Sequence, residues 1–278
     1  MKLHGIIGLV LIILTELNFY FKIEPFAYWY FPLIWTGYIL FIDAIVYKLK
    51  GNSLLINRPG KFIFCAVLSL IAWWIFEIIN FQIGNWSYHV SSAIQVIPWQ
   101  QELSKHLSFA TVIPAVFETA DLLFTLHWFD KTHLQKKHKI SKPLLYTFIV
   151  LGLISLVLPL LAPTVFFPLI WLSFFFFLDP INYMNKQPSL IQHWKDSKLK
   201  IPLTFAFSSL ICGFLWEFWN SWAVRKWIYH IPYVDFFKIF EMPILGYLGY
   251  LPFGLELFAI VIFANYIIKR YIGRTYSL

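Results

Sequence analysis

The chain has 278 residues, of which 59% are hydrophobic, 21% are aromatic and only 13% are charged, with a mean hydropathy of +0.68. This composition excludes a water-soluble globular protein of this size, in which about 25% of the residues would be charged. The net charge of +8 comes from basic residues in short segments beside apolar ones, so we expect contact with anionic lipid head groups at the inner face of a membrane rather than with nucleic acid.

Eight apolar segments are long enough to cross the hydrocarbon core as helices, which takes about 20 residues each. They lie at roughly 5–21, 26–47, 61–83, 107–129, 143–161, 164–184, 202–224 and 246–268. None alternates with period two, as a lipid-facing barrel strand would. The sequence therefore predicts an all-α polytopic integral membrane protein. We expect the first segment to be retained, because no small-residue cleavage site follows it.

Basic residues in the loops predict the orientation of these helices. With the N-terminus inside, 17 of the 22 Lys and Arg residues fall on the inner side, and Arg274 is one of them. The outer side keeps Lys22, Lys105, Arg225, Lys226 and Lys238. We therefore expect both termini in the cytoplasm and the protein in a bacterial or archaeal plasma membrane.

An internal repeat divides the chain. The stretch FPLIWTGYILFID at 31–43 aligns with FPLIWLSFFFFLD at 167–179. Further matches follow in the same order at nearly constant spacing, namely Glu77 with Glu217, Asn80 with Asn220, Trp86 with Trp227, Tyr88 with Tyr229, His89 with His230, Pro114 with Pro252 and Glu118 with Glu256. The repeat predicts two four-helix units, 1–140 and 141–278. Because four is even, we expect a parallel arrangement about a pseudo-twofold axis along the membrane normal.

The repeated glutamates Glu77, Glu118, Glu217 and Glu256 are the candidate catalytic residues. An acid within the bilayer costs about 2.5 kcal/mol or more and usually faces a cavity or a bundle interior. We expect the four to converge on one interior chamber near the outer surface. Two uses stay open. The acids either hold and deliver a proton, or act as clamps, each bonded to the asparagine, tyrosine or histidine of its own half.

The candidate substrate-binding residues surround these acids. They are Asn80, Trp86, Tyr88, His89, Trp216, Trp219, Asn220, Trp227, Tyr229 and His230. For the tryptophans alone, an aromatic belt at the membrane interface is an alternative explanation. A metal site from Glu77 with His89, or from Glu217 with His230 and Glu241, matches no short ligand pattern. We expect neither a metal nor a cofactor.

Three smaller features complete the sequence predictions. Asp43 and Asp179 end the second and sixth spans, where capping of a following loop explains a carboxylate. Cys65 and Cys212 lie inside predicted spans and are typical of core residues. Glycines 246, 249 and 254 predict a close backbone approach or a re-entrant segment at the cavity mouth.

Tandem helical units and the Pro114/Glu118 and Pro252/Glu256 pairs resemble the membrane lycopene-cyclase and related carotenoid-biosynthesis domains. The resemblance implies an isoprenoid substrate and a lyase or isomerase reaction, in which acid starts cyclisation or hydration of a polyene without redox change. It further implies Glu217 or Glu256 as the proton donor, with Trp216, Trp219 and Tyr229 as the wall that stabilises a carbocation. The spacing here is Pro-x-x-x-Glu, and each unit has four helices rather than three.

Two other functions stay open at the level of sequence. A proton-coupled transporter or channel would use Glu118 and Glu256 as its relay. A noncatalytic assembly or lipid-binding protein would use the aromatic seam alone. The seam between the halves is aromatic rather than polar, which favours a lipid or isoprenoid ligand.

Overall fold

A computed structural model describes residues 2–91 and 97–273. Within these ranges, eight helical stretches are long and apolar enough to cross a membrane. They are Leu3–Phe21, Tyr30–Lys50, Pro59–Ile83, Pro98–Thr125, Lys142–Leu161, Pro163–Met184, Lys200–Trp222 and Ile244–Ile272. The predicted polytopic helical membrane protein is thereby confirmed. Arg274, which entered the orientation argument, lies outside the described residues.

Short elements join the long helices. In chain order the helices are α1 (Leu3–Phe21), α2 (Tyr30–Lys50), α3 (Leu54–Asn57), α4 (Pro59–Ile83), α5 (Pro98–Ala110), α6 (Val112–Thr125), α7 (Lys142–Leu161), α8 (Pro163–Phe166), α9 (Ile170–Met184), α10 (Leu190–Lys195), α11 (Lys200–Trp222) and α12 (Tyr250–Ile272). Two 3-10 helices, Phe167–Leu169 and Ile244–Gly249, precede α9 and α12. The strands are β1 (Trp86–Val90), β2 (Arg225–Tyr229), β3 (Lys238–Ile239) and β4 (Met242–Pro243).

Four short strands accompany the helices in the described residues, and the chain remains mostly helical, as predicted. β1 and β2 follow the third and seventh spans and pair antiparallel. Their sequences, WSYHV and RKWIY, are rich in aromatic and β-branched residues, which favour extended structure. We call this end of the bundle the strand end, and the opposite end, which carries α3 and α10, the short-helix end.

The fourth span lies nearer the N-terminus than the predicted 107–129. It consists of α5 and α6, which meet at Thr111, and residues 126–129 form turns instead. The hydropathy of α5 is low because it contains two glutamines, a glutamate, a lysine and a histidine. For that reason the apolar segment predicted from the sequence begins at residue 107, after the true start of the helix at Pro98.

A serine from a neighbouring helix stabilises the break between α5 and α6. The Ser69 hydroxyl on α4 donates to the carbonyl of Phe109 over 2.5 Å and accepts from the N–H of Ile113 over 3.0 Å. It thus replaces the helical bond between those two peptide groups, a known cause of a helix bend. Pro114 follows as the third residue of α6, where its missing N–H removes no helical bond.

The helices pack in two groups that meet in the middle of the bundle. α2 contacts α1 and α6, while α9 contacts α7 and α12, and α11 lies between α6 and α12. A side chain at Gly254 would overlap the carbonyl of Phe205 on α11. The close backbone approach predicted for this glycine is therefore confirmed.

Two buried aspartates organise the short-helix end. Asp43 accepts from the Ser53 hydroxyl over 2.9 Å and from the Leu55 N–H over 2.8 Å, at the start of α3. Asp179 accepts from the N–H groups of Leu190 and Ile191, both over 2.8 Å, at the start of α10. The predicted capping role of both residues is confirmed.

Candidate functional site

A cavity of about 450 Å³ lies at the strand end, within the size range of small-molecule sites. Its wall is predominantly apolar and rich in aromatic residues, namely Tyr28, Tyr30, Phe31, Trp73, Trp86, Tyr88, Phe109, Phe167, Trp171, Trp216, Trp227, Tyr229, Tyr250 and Phe253. The 3-10 helix Ile244–Gly249 contributes to this wall, close to where the glycine-rich segment was expected. Such a surface suits an apolar or polyene ligand.

Glu77 lies directly behind the first-half wall of this cavity. Its Oε1 accepts from the Tyr88 hydroxyl over 2.6 Å, from Trp73 Nε1 over 3.0 Å and from Trp86 Nε1 over 3.2 Å. All three donors line the cavity, whereas Glu77 itself is buried. An indole N–H only donates, so this oxygen is held as a hydrogen-bond acceptor.

Glu217 occupies the corresponding position behind the second-half wall. Its Oε1 accepts from the hydroxyls of Tyr229 over 2.8 Å and Tyr250 over 2.5 Å. Both tyrosines line the cavity. The second oxygen, Oε2, is buried without a hydrogen-bond partner among the described residues. Because a tyrosine hydroxyl can donate or accept, a protonated Glu217 would be able to pass its proton to either tyrosine.

Two asparagines fix the strands against the helices that carry these acids. Asn80 Nδ2 donates to the carbonyl of Trp86 over 2.8 Å, and its Oδ1 accepts from the N–H groups of Asn85 and Trp86. Asn220 makes the corresponding pair of bonds with the peptide groups of Trp227, at 2.8 and 2.9 Å. The Glu-x-x-Asn spacing therefore joins each acid to the strand that carries its tyrosine.

Pairing of β1 with β2 joins the two walls. Trp86 is opposite Tyr229, and Tyr88 is opposite Trp227. Each tryptophan thus faces the tyrosine of the other half across the ladder, which brings the partners of both acids into one small sheet. Burial raises the pKa of Tyr88 and of Tyr229, and the neighbouring glutamate carboxylates act in the same direction.

Glu118 and Glu256 do not reach this cavity, so the expected convergence of four acids is wrong for these two. Glu256 Oε1 accepts from the N–H of Phe174 on α9 over 2.9 Å. Glu118 is fully buried and faces Asp43, Asp121 and Arg58. Both acids come after the proline in their helix, which places them deeper in the bundle than the strand-end acids.

Five predicted binding residues do not line this cavity. They are Asn80 and Asn220, which hold the strands, and Trp219, His89 and His230. Trp219 packs on Trp35, with ring centroids 4.9 Å apart, and its Nε1 donates to Glu16 over 2.7 Å. His89 and His230 both contact the hydroxyl of Ser87, at 2.9 and 2.7 Å, on the exposed side of the sheet. These histidines are therefore not partners of the glutamates.

The two metal sets considered from the sequence are not assembled. Glu241 Oε1 binds Lys226 Nζ over 2.5 Å instead of joining Glu217 and His230. In the described part of the chain, no group of three or more His, Cys, Asp or Glu side chains is placed to hold a metal ion.

Tyr250 and Trp171 belong to the site but were not among the predicted site residues. Tyr250 donates to Glu217, yet its counterpart by repeat spacing is Val112. Trp171 stacks on Phe76 and Trp86 at centroid distances of 5.5 and 6.2 Å in the middle of the wall. It belongs to the repeated FPLIW motif, so that motif was the signal that pointed to it.

The mouth of the cavity carries basic groups. Arg225 on β2 lies over the ring of Tyr88 at 5.2 Å, and its Nη1 donates to the carbonyl of Gln101 on α5 over 3.3 Å. Lys105 on α5 also lines the cavity and binds Glu102 over 2.5 Å. Burial raises the pKa of Tyr28 beside Arg225, and the positive charge of the guanidinium opposes that rise.

Comparison of the chain with protein-family models, curated proteins and solved structures finds no match.

Proposed function

We propose that the protein is an integral membrane enzyme that performs non-redox acid/base chemistry on an isoprenoid or another lipid-like substrate held in the aromatic cavity. Cyclisation, hydration and isomerisation belong to this class. The observation that carries the proposal is the pairing of cavity-lining tyrosines with buried acids, Tyr88 with Glu77 and both Tyr229 and Tyr250 with Glu217.

The partners of the two acids support different roles. Glu77 accepts two indole N–H bonds that cannot be reversed, which suits a carboxylate that receives a proton. Glu217 Oε1 accepts from the hydroxyls of Tyr229 and Tyr250, and the nearby Trp227 indole donates to Tyr229, which suits a carboxyl group that gives a proton. We assign Glu217 as the acid and Glu77 as the base, with the tyrosines as proton relays.

The proposed reaction balances without an electron carrier. Tyr229 or Tyr250 gives its proton to an alkene carbon and is reprotonated by Glu217, so that one C–H bond forms and a carbocation remains. Ring closure or addition of water then consumes the cation. A proton leaves the product through Tyr88 to Glu77, and exchange with solvent restores both acids.

The faces of Trp73, Trp171 and Trp216 would stabilise the intermediate cation. A cation over an aromatic ring gains about 0.5–2 kcal/mol, and several rings surround this cavity. The ring centroid of Trp171 lies 5.5 Å from that of Phe253 and 6.2 Å from that of Trp86, between the two walls. A charge that forms near this indole would lie close to both tyrosine groups.

We further propose that the halves 1–140 and 141–278 are parallel repeats. The pairing of β1 with β2 supports this, because Trp86 is opposite Tyr229 and Tyr88 is opposite Trp227. A twofold axis that passes between Ser87 and Ile228 would produce this pattern. The twin aspartate caps at the short-helix end support it as well. With the positive-inside rule, this arrangement puts both termini in the cytoplasm and the cavity at the outer face.

The transporter alternative has less support. It would need a continuous polar path that joins Glu118 with Glu256. Phe205 packs against both Phe117 and Phe258, with ring centroids 4.9 Å apart in each pair, where α11 meets α6 and α12. Aromatic packing of this kind suits a closed core better than an ion path.

To test the proposal, the protein is expressed in bacterial cells that accumulate a linear polyene. The products are separated by chromatography, and their masses are determined by mass spectrometry. Wild type should give a product of unchanged mass, or one heavier by a water molecule. Glu217→Gln and Glu77→Gln should abolish it while the protein remains folded. Glu256→Gln is the matched control and should retain conversion, because its carbonyl still accepts from Phe174. Equal conversion by all variants would refute the assignment.

A further inference from the structure

The mouth of the aromatic cavity carries more positive than negative charge. Arg225 has no carboxylate within ion-pair distance in the described ranges, and its Nε is buried without a partner there. Lys105 has Glu102 as its partner, but the Glu102 side chain is 55% exposed. The three side chains together leave one positive charge uncompensated.

A half-buried guanidinium beside an apolar cavity is costly unless an anion accompanies it. The contacts of Arg225 here are a backbone carbonyl, the Tyr28 hydroxyl and the face of Tyr88, and none of them is charged. Its planar fork of donors matches the oxygens of a phosphate or a carboxylate. The neighbouring Lys226 differs, because Glu241 already neutralises it.

We propose that the ligand of this cavity is an amphiphile whose anionic head group, a phosphate or a carboxylate, is bound by Arg225 with help from Lys105 at the mouth. Its isoprenoid or acyl chain then lies along the aromatic wall. The inference rests on the proposed function, because it concerns the same cavity, but it concerns the end of the ligand that is not transformed.

The geometry also orients the ligand. Arg225 lies over the face of Tyr88, and the hydroxyl of the same tyrosine donates to Glu77. A head group on Arg225 would therefore anchor the chain beside the first acid. The rest of the chain would extend past Trp171 towards Tyr229 and Tyr250.

The test compares three C20 polyenes that share one hydrocarbon chain, retinol, retinoic acid and retinyl phosphate. Each absorbs where tryptophan emits, so binding quenches the fluorescence of the cavity tryptophans. In nanodiscs of phosphatidylcholine, the two anions should bind wild type roughly 10-fold to 100-fold more tightly than retinol, as a charge-assisted contact provides. Inorganic phosphate alone should not displace them.

Three variants test which side chain causes the tighter binding of the two anions relative to retinol. Arg225→Gln should reduce it to less than about threefold, Arg225→Lys should keep part of it, and Lys226→Gln should leave it unchanged. Nanodiscs of phosphatidylglycerol identify the source of the anion. An unchanged preference there assigns the head group to the ligand itself, and a lost preference assigns the same site to a bilayer lipid.

Equal affinity of wild type for retinol and the two anions would overturn the head-group proposal and leave the cavity proposal standing. So would a preference that survives in a folded Arg225→Gln variant. If none of the three polyenes quenches the fluorescence of folded wild type, the cavity proposal fails as well.

Discussion

Replacing Asn220 by alanine tests whether the strands hold the cavity wall in place. The side chain is fully buried and makes two bonds to the peptide groups of Trp227, at 2.8 and 2.9 Å. At about 0.5–1.5 kcal/mol each, their loss should lower the free energy of unfolding by about 1–3 kcal/mol. Because Trp227 precedes Tyr229 on β2, the tyrosine that reaches Glu217 should shift, and retinol should bind several-fold more weakly.

Asn185→Ala is the matched control for this variant. Asn185 also makes two side-chain bonds, to the Ile181 carbonyl over 2.8 Å and from the Tyr266 hydroxyl over 2.9 Å, but it lies at the short-helix end. Unfolding would be followed by circular dichroism during SDS titration, and binding by quenching of tryptophan fluorescence. The free energy of unfolding of Asn185→Ala should fall by no more than that of Asn220→Ala, and its affinity for retinol should equal that of wild type. Wild-type binding by Asn220→Ala, or equal loss of binding in both variants, would refute the reasoning.

Three further experiments test separate parts of the structure. Asp179→Ala removes the cap of α10 and should cost about 1–2 kcal/mol of stability in the same titration, with unchanged retinol affinity; weakened binding would contradict this. Ser69→Ala leaves the α5–α6 break without its bridge and should cost about 1–3 kcal/mol. Its control, Ser208→Ala, loses only a bond within its own helix and should cost less; equal costs would contradict the bridging role. Tyr229→Phe and Tyr250→Phe should each retain polyene conversion, because either hydroxyl reaches Glu217, whereas the double variant should lose it; conversion by the double variant would rule out the relay.

The sequence predicted the parts of this fold that depend on composition and local pattern. Eight apolar segments predicted the eight spans, and the carboxylates of Asp43 and Asp179 near the inner ends of the second and sixth predicted spans predicted their capping role. The Glu-x-x-Asn spacing occurs in both halves, and in both the asparagine holds the strand whose tyrosine donates to the glutamate. The clamp alternative proved correct for the tyrosine partners of both acids and wrong for the asparagines and histidines, which have other contacts.

The remaining features depend on tertiary contacts that no local pattern encodes. Glu118 and Glu256 occupy matching positions in the sequence repeat, yet both lie deeper in the bundle than Glu77 and Glu217. Matching positions in the repeat therefore did not imply a shared chamber. The break at Thr111 depends on Ser69 from another helix, and Tyr250 reaches Glu217 although 33 residues separate them in the chain. Aromatic residues were so frequent that the sequence wrongly placed Trp219 in the cavity wall and missed Trp171, which lines the cavity.

Identification of the lipid that co-purifies with the protein tests the central claim most directly. Gly249 lines the cavity with an ordinary helical backbone, and a side chain there would meet the Trp171 ring at about 3.6 Å. Gly249→Leu should therefore place a branched side chain in the cavity beside Trp171, where it obstructs the ligand without backbone strain. By mass spectrometry of extracts, wild type should carry an isoprenoid or other lipid-like molecule near one per chain, and a folded Gly249→Leu variant should lack it. The same lipid content in both proteins, or no enriched molecule in wild type, would contradict the account.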